Sequence, residues 1–395
     1  MTLDALQIAL LLPVAGGSIF SLLCVWATAR FFARPKIANA YQPPITVLKP
    51  IYGLDKGLEE NLLSLIRQDY PDFQVVMAVQ RADDPALPLL RRLAAEYPAR
   101  VSLLVKPSEP VVNGKVQNLV NALTAARHEI LLISDSDARV KPGYLSAMAA
   151  PLIDAEVGYT CSLYRSVGAT HWFEKLEMLT LNADFVPSLI FSHITGASDF
   201  CIGATVAFRK TDLERIGGLA ALSNYLVEDY ALGRRLLKLG KRMVLVPDSI
   251  EIVADYPTFA RWWHHQVYWD QNTWAANPIG FTLTILTRAI PFALAFAALR
   301  GFDSLGLNTF LAAVLVRVAT ARMTSSMIGD RESVAALWLL PFRDVIALGS
   351  WWLALTRRSF EWRGHRFGLT RDGRIVPRSE TLPMTIDESS AVPSP

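Results

Sequence analysis

Hydrophobic and polar positions fall into three textures along the chain. Residues 6–29 are apolar and uncharged, long enough as a helix to cross a hydrocarbon core of about 30 Å. Arg30, Arg34 and Lys36 follow at once and nothing basic precedes the run, the reverse of a cleaved leader. The pattern predicts a transmembrane anchor over residues 1–36 with its carboxyl end cytoplasmic.

Over residues 41–275 short β-rich runs alternate with amphipathic stretches, predicting strands at 45–48, 74–79, 101–105, 129–134, 157–163 and 242–246. Leu58, Leu62, Leu65 and Ile66 form a helical stripe, as do Val116, Leu119, Val120 and Leu123. Thr211 and Glu214 have the spacing of a capping box and predict a helix start. Leu232, Leu236 and Leu237 line another helix, opened by Glu228 and Asp229. The alternation implies an α/β domain with a mostly parallel sheet covered by helices on both faces.

Residues 279–356 return to apolar runs, at 279–299, 305–318 and 334–355. Arg288 and Arg317 interrupt the first two, and Pro341, Arg343 and Asp344 break the third. A hairpin turning near 301–304 is expected from the first two. The third is expected to be re-entrant or interfacial, because charge at membrane depth is costly unless it faces protein or water. Seven arginines between 357 and 378 place the tail, 357–395, on the cytoplasmic side, with a disordered end after Arg378.

Composition sharpens this reading. A 52% hydrophobic content in 395 residues fits membrane segments, and a net charge of +3 gives no reason to invoke nucleic acid. Cys24, Cys161 and Cys201 are too few and too scattered for a disulfide framework or a zinc site, which suits a reducing compartment. The six histidines include no HExxH, against a zinc hydrolase.

The strand predicted at 129–134 stops abruptly at Asp135 and Asp137. Acids at the carboxyl end of a buried strand sit where open α/β sheets bind ligands. Asp-x-Asp suits Mg²⁺ or Mn²⁺ with a diphosphate completing the shell, although solvated turns carry the same pattern. Asp84 follows strand 74–79 in the same way; it could hold a ribose or uracil, or simply start an Asp-Pro helix. Asp229 could be a general base or a complement to its helix dipole. Four tryptophans within residues 261–274 suit an interfacial helix and could also roof a site beside the membrane.

Taken in order, Leu48-Lys49-Pro50, Gln68-Asp-Tyr-Pro71, Asp83-Asp84-Pro-Ala, Asn113-Gly-Lys115-Val-Gln-Asn118, Ser134-Asp-Ser-Asp-Ala-Arg-Val140, Arg209-Lys-Thr-Asp-Leu-Glu-Arg-Ile-Gly-Gly218, Val227-Glu-Asp-Tyr230 and Trp362-Arg-Gly-His-Arg-Phe367 resemble the ceramide glucosyltransferase family. The likeness runs from about residue 45 to 369. It implies a nucleotide-diphospho-sugar transferase (GT-A type) fold with transmembrane helices at both ends. It also implies inverting transfer of glucose from UDP-glucose to ceramide. By this resemblance Asp84 binds the nucleotide, Asp135 and Asp137 handle nucleotide and metal, Asp229 is the base, and Lys49 and Lys115 lie near the phosphates. The family's Gln/Arg-x-x-Arg-Trp motif falls on His265, Tyr268 and Trp269, on the acceptor or diphosphate side. Tyr268 stands where the family has arginine. Either His264, His265 or another cation compensates, or the donor or acceptor differs.

The expected partners are therefore a UDP-sugar, a divalent cation (Mg²⁺ or Mn²⁺) and a membrane lipid acceptor, with the protein in a bacterial inner membrane and its catalytic domain cytoplasmic. Alternatives are transfer to another lipid, such as a hopanoid or a polyprenyl phosphate, and a catalytically dead, membrane-tethered scaffold that binds nucleotide or lipid. A processive polysaccharide synthase fits less well, given the altered arginine motif and the small membrane region.

Overall fold

The computed structural model describes residues 3–34, 41–107, 113–197, 200–357, 359–362, 365–370 and 374–377. One sheet is built from β1 (Ile45–Pro50), β2 (Phe73–Val79), β3 (Val101–Val105), β4 (Ile130–Ser134), β5 (Ala138–Arg139), β6 (Val157–Val167), β7 (Thr205–Arg209) and β8 (Arg242–Val253). Their spatial order is 3-2-1-4-7-6-8-5. β1 pairs in parallel with β2 and β4, β2 with β3, and β6 with β8, while β7 runs antiparallel between β4 and β6. Every residue of β1 and β2 is buried, as central strands covered on both faces must be.

The strands of this sheet depart from expectation at β5, an additional two-residue strand paired with β8, and at β6, β7 and β8. β7 is an additional strand, inserted antiparallel next to β4. β6 and β8 run further than the apolar pattern suggests, reaching the polar Ser166 and Glu251. The extension tolerates a bulge: Ser162 pairs with Val246 but Leu163 pairs with Ser249, so Pro247, which cannot donate a ladder hydrogen bond, is looped out with Asp248. Thr211 does not cap its helix. The helix Lys210–Arg215 has Arg209 as its N-cap, and Thr211 Oγ1 donates instead to Glu129 Oε1 at 2.6 Å, tying the helix to the start of β4.

Between β6 and β7 the chain is helical from Trp172 to Thr195, with a π-helical turn at Leu181–Phe185. This stretch joins the sheet to the apolar helices. Among the described residues three helices are long and apolar enough to cross a membrane: Ala5–Phe32, Ser304–Ile328 and Arg331–Thr356. The third run, expected to be re-entrant or interfacial, is thus a candidate span. It is the first C-terminal run that is broken, by a 52° bend between Pro278–Thr287 and Ala289–Leu299. Gly17 makes that bend accessible to the N-terminal helix, since a Cβ there would lie 2.7 Å from Ala289 N and Thr287 O. The expected turn sits at 301–303, where Gly301 and Phe302 have positive φ and Asp303 caps the next helix by accepting from Gly306 N.

Arg317, Arg343 and Asp344 are paired inside protein. Arg317 Nε donates to Asp344 Oδ2 at 3.0 Å and Arg343 Nη1 to Asp344 Oδ1 at 2.9 Å. Both arginines also reach Asp184 of the π-helical turn, at 3.3 and 2.7 Å. Two arginines thus meet two aspartates, which removes the penalty of an isolated charge in an apolar bundle.

Within the arginine-rich tail, β9 (Ser359–Trp362), β10 (His365–Leu369) and β11 (Ile375–Pro377) form a small antiparallel sheet. Its Ile375 N donates to Asn224 O at 2.8 Å. The disordered end expected after Arg378 lies outside the described residues.

Candidate active site

β1 leads through β2 to β3 on one side of the sheet, and β4 lies on the other side of β1. The order reverses between β1 and β4, and a crevice opens there at the strands' carboxyl ends. Lys49, near the end of β1, crosses this gap. Its fully buried ammonium donates to Ser134 Oγ at 3.0 Å and to the Asp135 carbonyl. Burial pulls its pKa down to about 8 against the attraction of Asp137, Asp135 and Asp55. Lys49 therefore braces the acids from beneath the crevice.

The acids that follow β4 are crowded. Burial, then repulsion from Asp135 and Asp55, pushes Asp137 up to about 6. Asp55, from the loop after β1, accepts a hydrogen bond from Ser136 Oγ and is itself raised by burial. One oxygen of Asp137 is buried and has no hydrogen-bond partner among the described residues. Mutual repulsion, oxygen-only chemistry and an orphaned carboxylate oxygen fit a hard divalent cation. Among the described residues no three such side chains converge into a ready cage, so the fit is to a cation that takes the rest of its shell from a bound diphosphate.

Opposite them lies the helix Gly114–Leu123, whose N-cap Asn113 accepts from Lys115 N and Val116 N at 3.1 and 3.2 Å. Gln80, at the end of β2, donates to Gly114 O, and Asn118 donates to Ile51 O, which pins this helix to the strand ends. Lys115 Nζ then reaches Asp135 Oδ1 at 2.8 Å and Glu228 Oε1 at 3.1 Å. The Asn113 amide also donates to Tyr225 O at 3.1 Å, fastening the loop that precedes the helix Glu228–Leu237.

Asp229 stands in the first turn of that helix. One oxygen accepts from Tyr230 N at 2.7 Å. The other faces Gly203: a Cβ at that position would lie 2.5 Å from Asp229 Oδ2. Burial and the adjacent Glu228 push Asp229 up to about 7, against the pull of Lys115. A small pocket lies beside it, walled by Leu119, Val206, Leu222 and Leu232 with Lys115 and Glu228 at its polar end.

Asp84 is placed further along, buried under the loop after β1. It accepts from Gly53 N at 3.0 Å and from Ala86 N at 2.9 Å, so both strand-end loops are fastened through it. The helix Phe259–Ala276 covers the other side. Its His265 Nδ1 lies 2.8 Å from Tyr256 Oη and 3.7 Å from Glu177, and its ring leans on Trp269. Trp269 packs edge-on against Tyr164 and Phe185. Burial and Glu228 push the Tyr268 phenol up to about 12, so a neutral hydroxyl lies near Lys115 and Asp229.

The crevice thus brings together Lys49, Lys115, Asp135, Asp137 and Asp229, with Asp84 behind one wall and His265, Tyr268 and Trp269 on the covering helix. Asp55, Gly203, Glu177 and Tyr256 were not singled out by the sequence. Only Glu228 carried a local signal, as the neighbour of Asp229.

A family model described as glycosyl transferase family 21 matches residues 9–375. The chain is 25% identical over 355 residues to ceramide glucosyltransferase 1 of Caenorhabditis elegans, covering 84% of this chain and 73% of that protein. It is 23% identical over 359 residues to ceramide glucosyltransferase 3 of the same organism, covering 85% and 74%. A mannosyltransferase from Pyrobaculum calidifontis, solved with GDP-Man and Mn²⁺, superposes with a TM-score of 0.56 at 21% identity, covering 89% of this chain and 97% of that one. That likeness, with the sheet order and the apolar helices, establishes the nucleotide-diphospho-sugar transferase fold of GT-A type.

Proposed function

We propose, for a chain that belongs to glycosyl transferase family 21 and is thus a membrane-associated glycosyltransferase, that it transfers glucose from UDP-glucose to the primary hydroxyl of ceramide with inversion. The observation that carries this reading is Asp229, a carboxyl pushed up to about 7 within the same crevice as Lys115 and the Asp135–Asp137 pair. A general base works best when its pKa lies near the working pH.

In this reading the acceptor hydroxyl donates its proton to Asp229 as its oxygen attacks the anomeric carbon. The bond from that carbon to the diphosphate breaks, and UDP leaves from the opposite face. Lys115, on the first turn of its helix, meets the diphosphate as a point charge together with the helix N-terminus. Asp135 and Asp137 would hold a divalent cation, Mg²⁺ or Mn²⁺, which when bound supplies charge neutralisation for the leaving diphosphate. Lys49 acts through the acids it braces, and Asp84 holds the loops that wall the nucleotide. His265, Tyr268 and Trp269 border the acceptor. Arg30 in the last turn of the first helix and Arg34 just beyond it support a cytoplasmic catalytic domain, as in a bacterial inner membrane.

The neutral Tyr268 favours a second reading, in which the acceptor is another membrane lipid. Both are tested by incubating the full-length protein in nanodiscs with a panel of UDP-sugars and GDP-mannose against ceramide, a hopanoid and a polyprenyl phosphate. The expected product by mass spectrometry is glucosylceramide. Transfer only to a different lipid overturns ceramide, and nucleotide binding without any transfer points to a scaffold.

A further inference from the structure

The tail sheet meets the donor side of the crevice around Tyr225. Tyr225 forms an isolated β-bridge with Arg374, and the neighbouring Ile375 N donates to Asn224 O at 2.8 Å. Two guanidinium groups lie over the Tyr225 ring, Arg374 at 5.6 Å and Arg235 at 5.7 Å from its centroid. Hydrogen bonds from both arginines hold the phenol below its usual range. Behind this clamp, Ile375 and Phe367 are buried in one apolar cluster with Leu226, which is two residues from Glu228.

Tyr225 faces the site with its backbone. Its carbonyl accepts from Asn113 Nδ2, the same amide that reaches Glu228 Oε2 at 3.4 Å, while Asn113 Oδ1 caps the helix that carries Lys115. Any shift of Tyr225 is therefore passed to both partners of the Lys115–Glu228 ion pair through one side chain. A cation on an aromatic face is attracted by the ring's negative face. Arg374 is also planar, which lets it stack and hydrogen-bond at once in a way lysine does not match.

We infer that Arg374 is a positioning residue for donor binding: from the tail sheet it fixes Tyr225, which through Asn113 sets Lys115 and Glu228 where the nucleotide diphosphate is held. The inference rests on the proposed reading of Lys115 as a diphosphate contact. It assigns the tail a part in donor affinity and none in recognition of the acceptor.

The test uses full-length protein in nanodiscs, with UDP binding measured by calorimetry in Mn²⁺ and initial rates measured against donor and acceptor separately. Arg374→Ala is expected to weaken UDP binding and to raise the donor KM about 5- to 10-fold, with the acceptor KM within twofold of wild type. Arg374→Lys should restore only part of the loss. Tyr225→Phe keeps the ring and the carbonyl but removes the phenol oxygen. It should give a smaller loss that does not add to that of Arg374→Ala, as expected for two groups in one clamp. Donor KM and UDP affinity unchanged within twofold in Arg374→Ala would overturn the inference, as would an equal rise in both KM values. Wild-type protein that binds no UDP and transfers no sugar would instead defeat the proposed function, so the two failures are distinguishable.

Discussion

Replacing Asp229 with asparagine separates a catalytic carboxylate from a structural one, because the two predict different pH behaviour. The carboxyl has an ordinary value of 3.8 and is pushed up to about 7 in the fold. Since the folded value is the higher, the folded chain binds the extra proton between about pH 4 and pH 7. This group's contribution to stability is therefore whole below pH 4 and lost as pH rises through 7. At about 1.4 kcal/mol per pH unit the loss is at most roughly 4 kcal/mol, and about half of that once partial solvent access is allowed for. Asparagine keeps the shape and never ionises. Asp229→Asn should therefore melt within about 1 °C of wild type at pH 4.5 and several degrees higher at pH 8, at roughly 2 °C per kcal/mol for a chain of this size. The same variant should lose transfer by at least about 10³-fold while still binding UDP, and the wild-type rate should climb with pH through about 7. A melting difference independent of pH, or a variant that still turns over, would refute the assignment of Asp229 as a buried base.

Three further outcomes follow from the geometry. Gly203→Ala puts a methyl against Asp229 Oδ2 and should cut kcat by about 10²-fold, with a circular dichroism spectrum like that of wild type. Asp137→Asn should weaken Mn²⁺-dependent UDP binding at least about tenfold by calorimetry; in wild type that dependence should fade as pH drops below about 6, where Asp137 takes up a proton. Arg343→Ala leaves Asp184 and Asp344 short of a partner and should destabilise the protein by roughly 3–5 kcal/mol in a chaotrope titration of the reconstituted protein.

Local pattern carried the parts of the fold in which one segment is buried on its own terms. β4 was legible because five apolar or small residues stop at two acids, and the helix carrying Lys115 because its stripe repeats at helical spacing. β7 was missed because Thr205–Arg209 carries no pattern of its own that sets its place: it is inserted antiparallel between β4 and β6, and those neighbours fix its direction. Asp55 gave no sign of its place beside Asp135 and Asp137, since its contact with Ser136 spans 81 residues. Gly203 is equally silent, being needed only because Asp229 folds against it. The charges at Arg317, Arg343 and Asp344 argued against a span when each was taken alone. Their compensation by Asp184 comes from a helix more than a hundred residues earlier, and no window along the chain contains both halves.

That compensation has a mechanical consequence. Asp184 lies in the stretch Trp172–Thr195 that links β6 to β7, so its ion pairs, with the Asn182–Asp330 and Gly168–Glu332 hydrogen bonds alongside, fasten the sheet's own connection to the apolar helices. Tilting the catalytic body would pull the forks of Arg317 and Arg343 off the two aspartates that they bridge. The distance from the crevice to the apolar helices is therefore set by buried charge and not by the reach of a flexible linker.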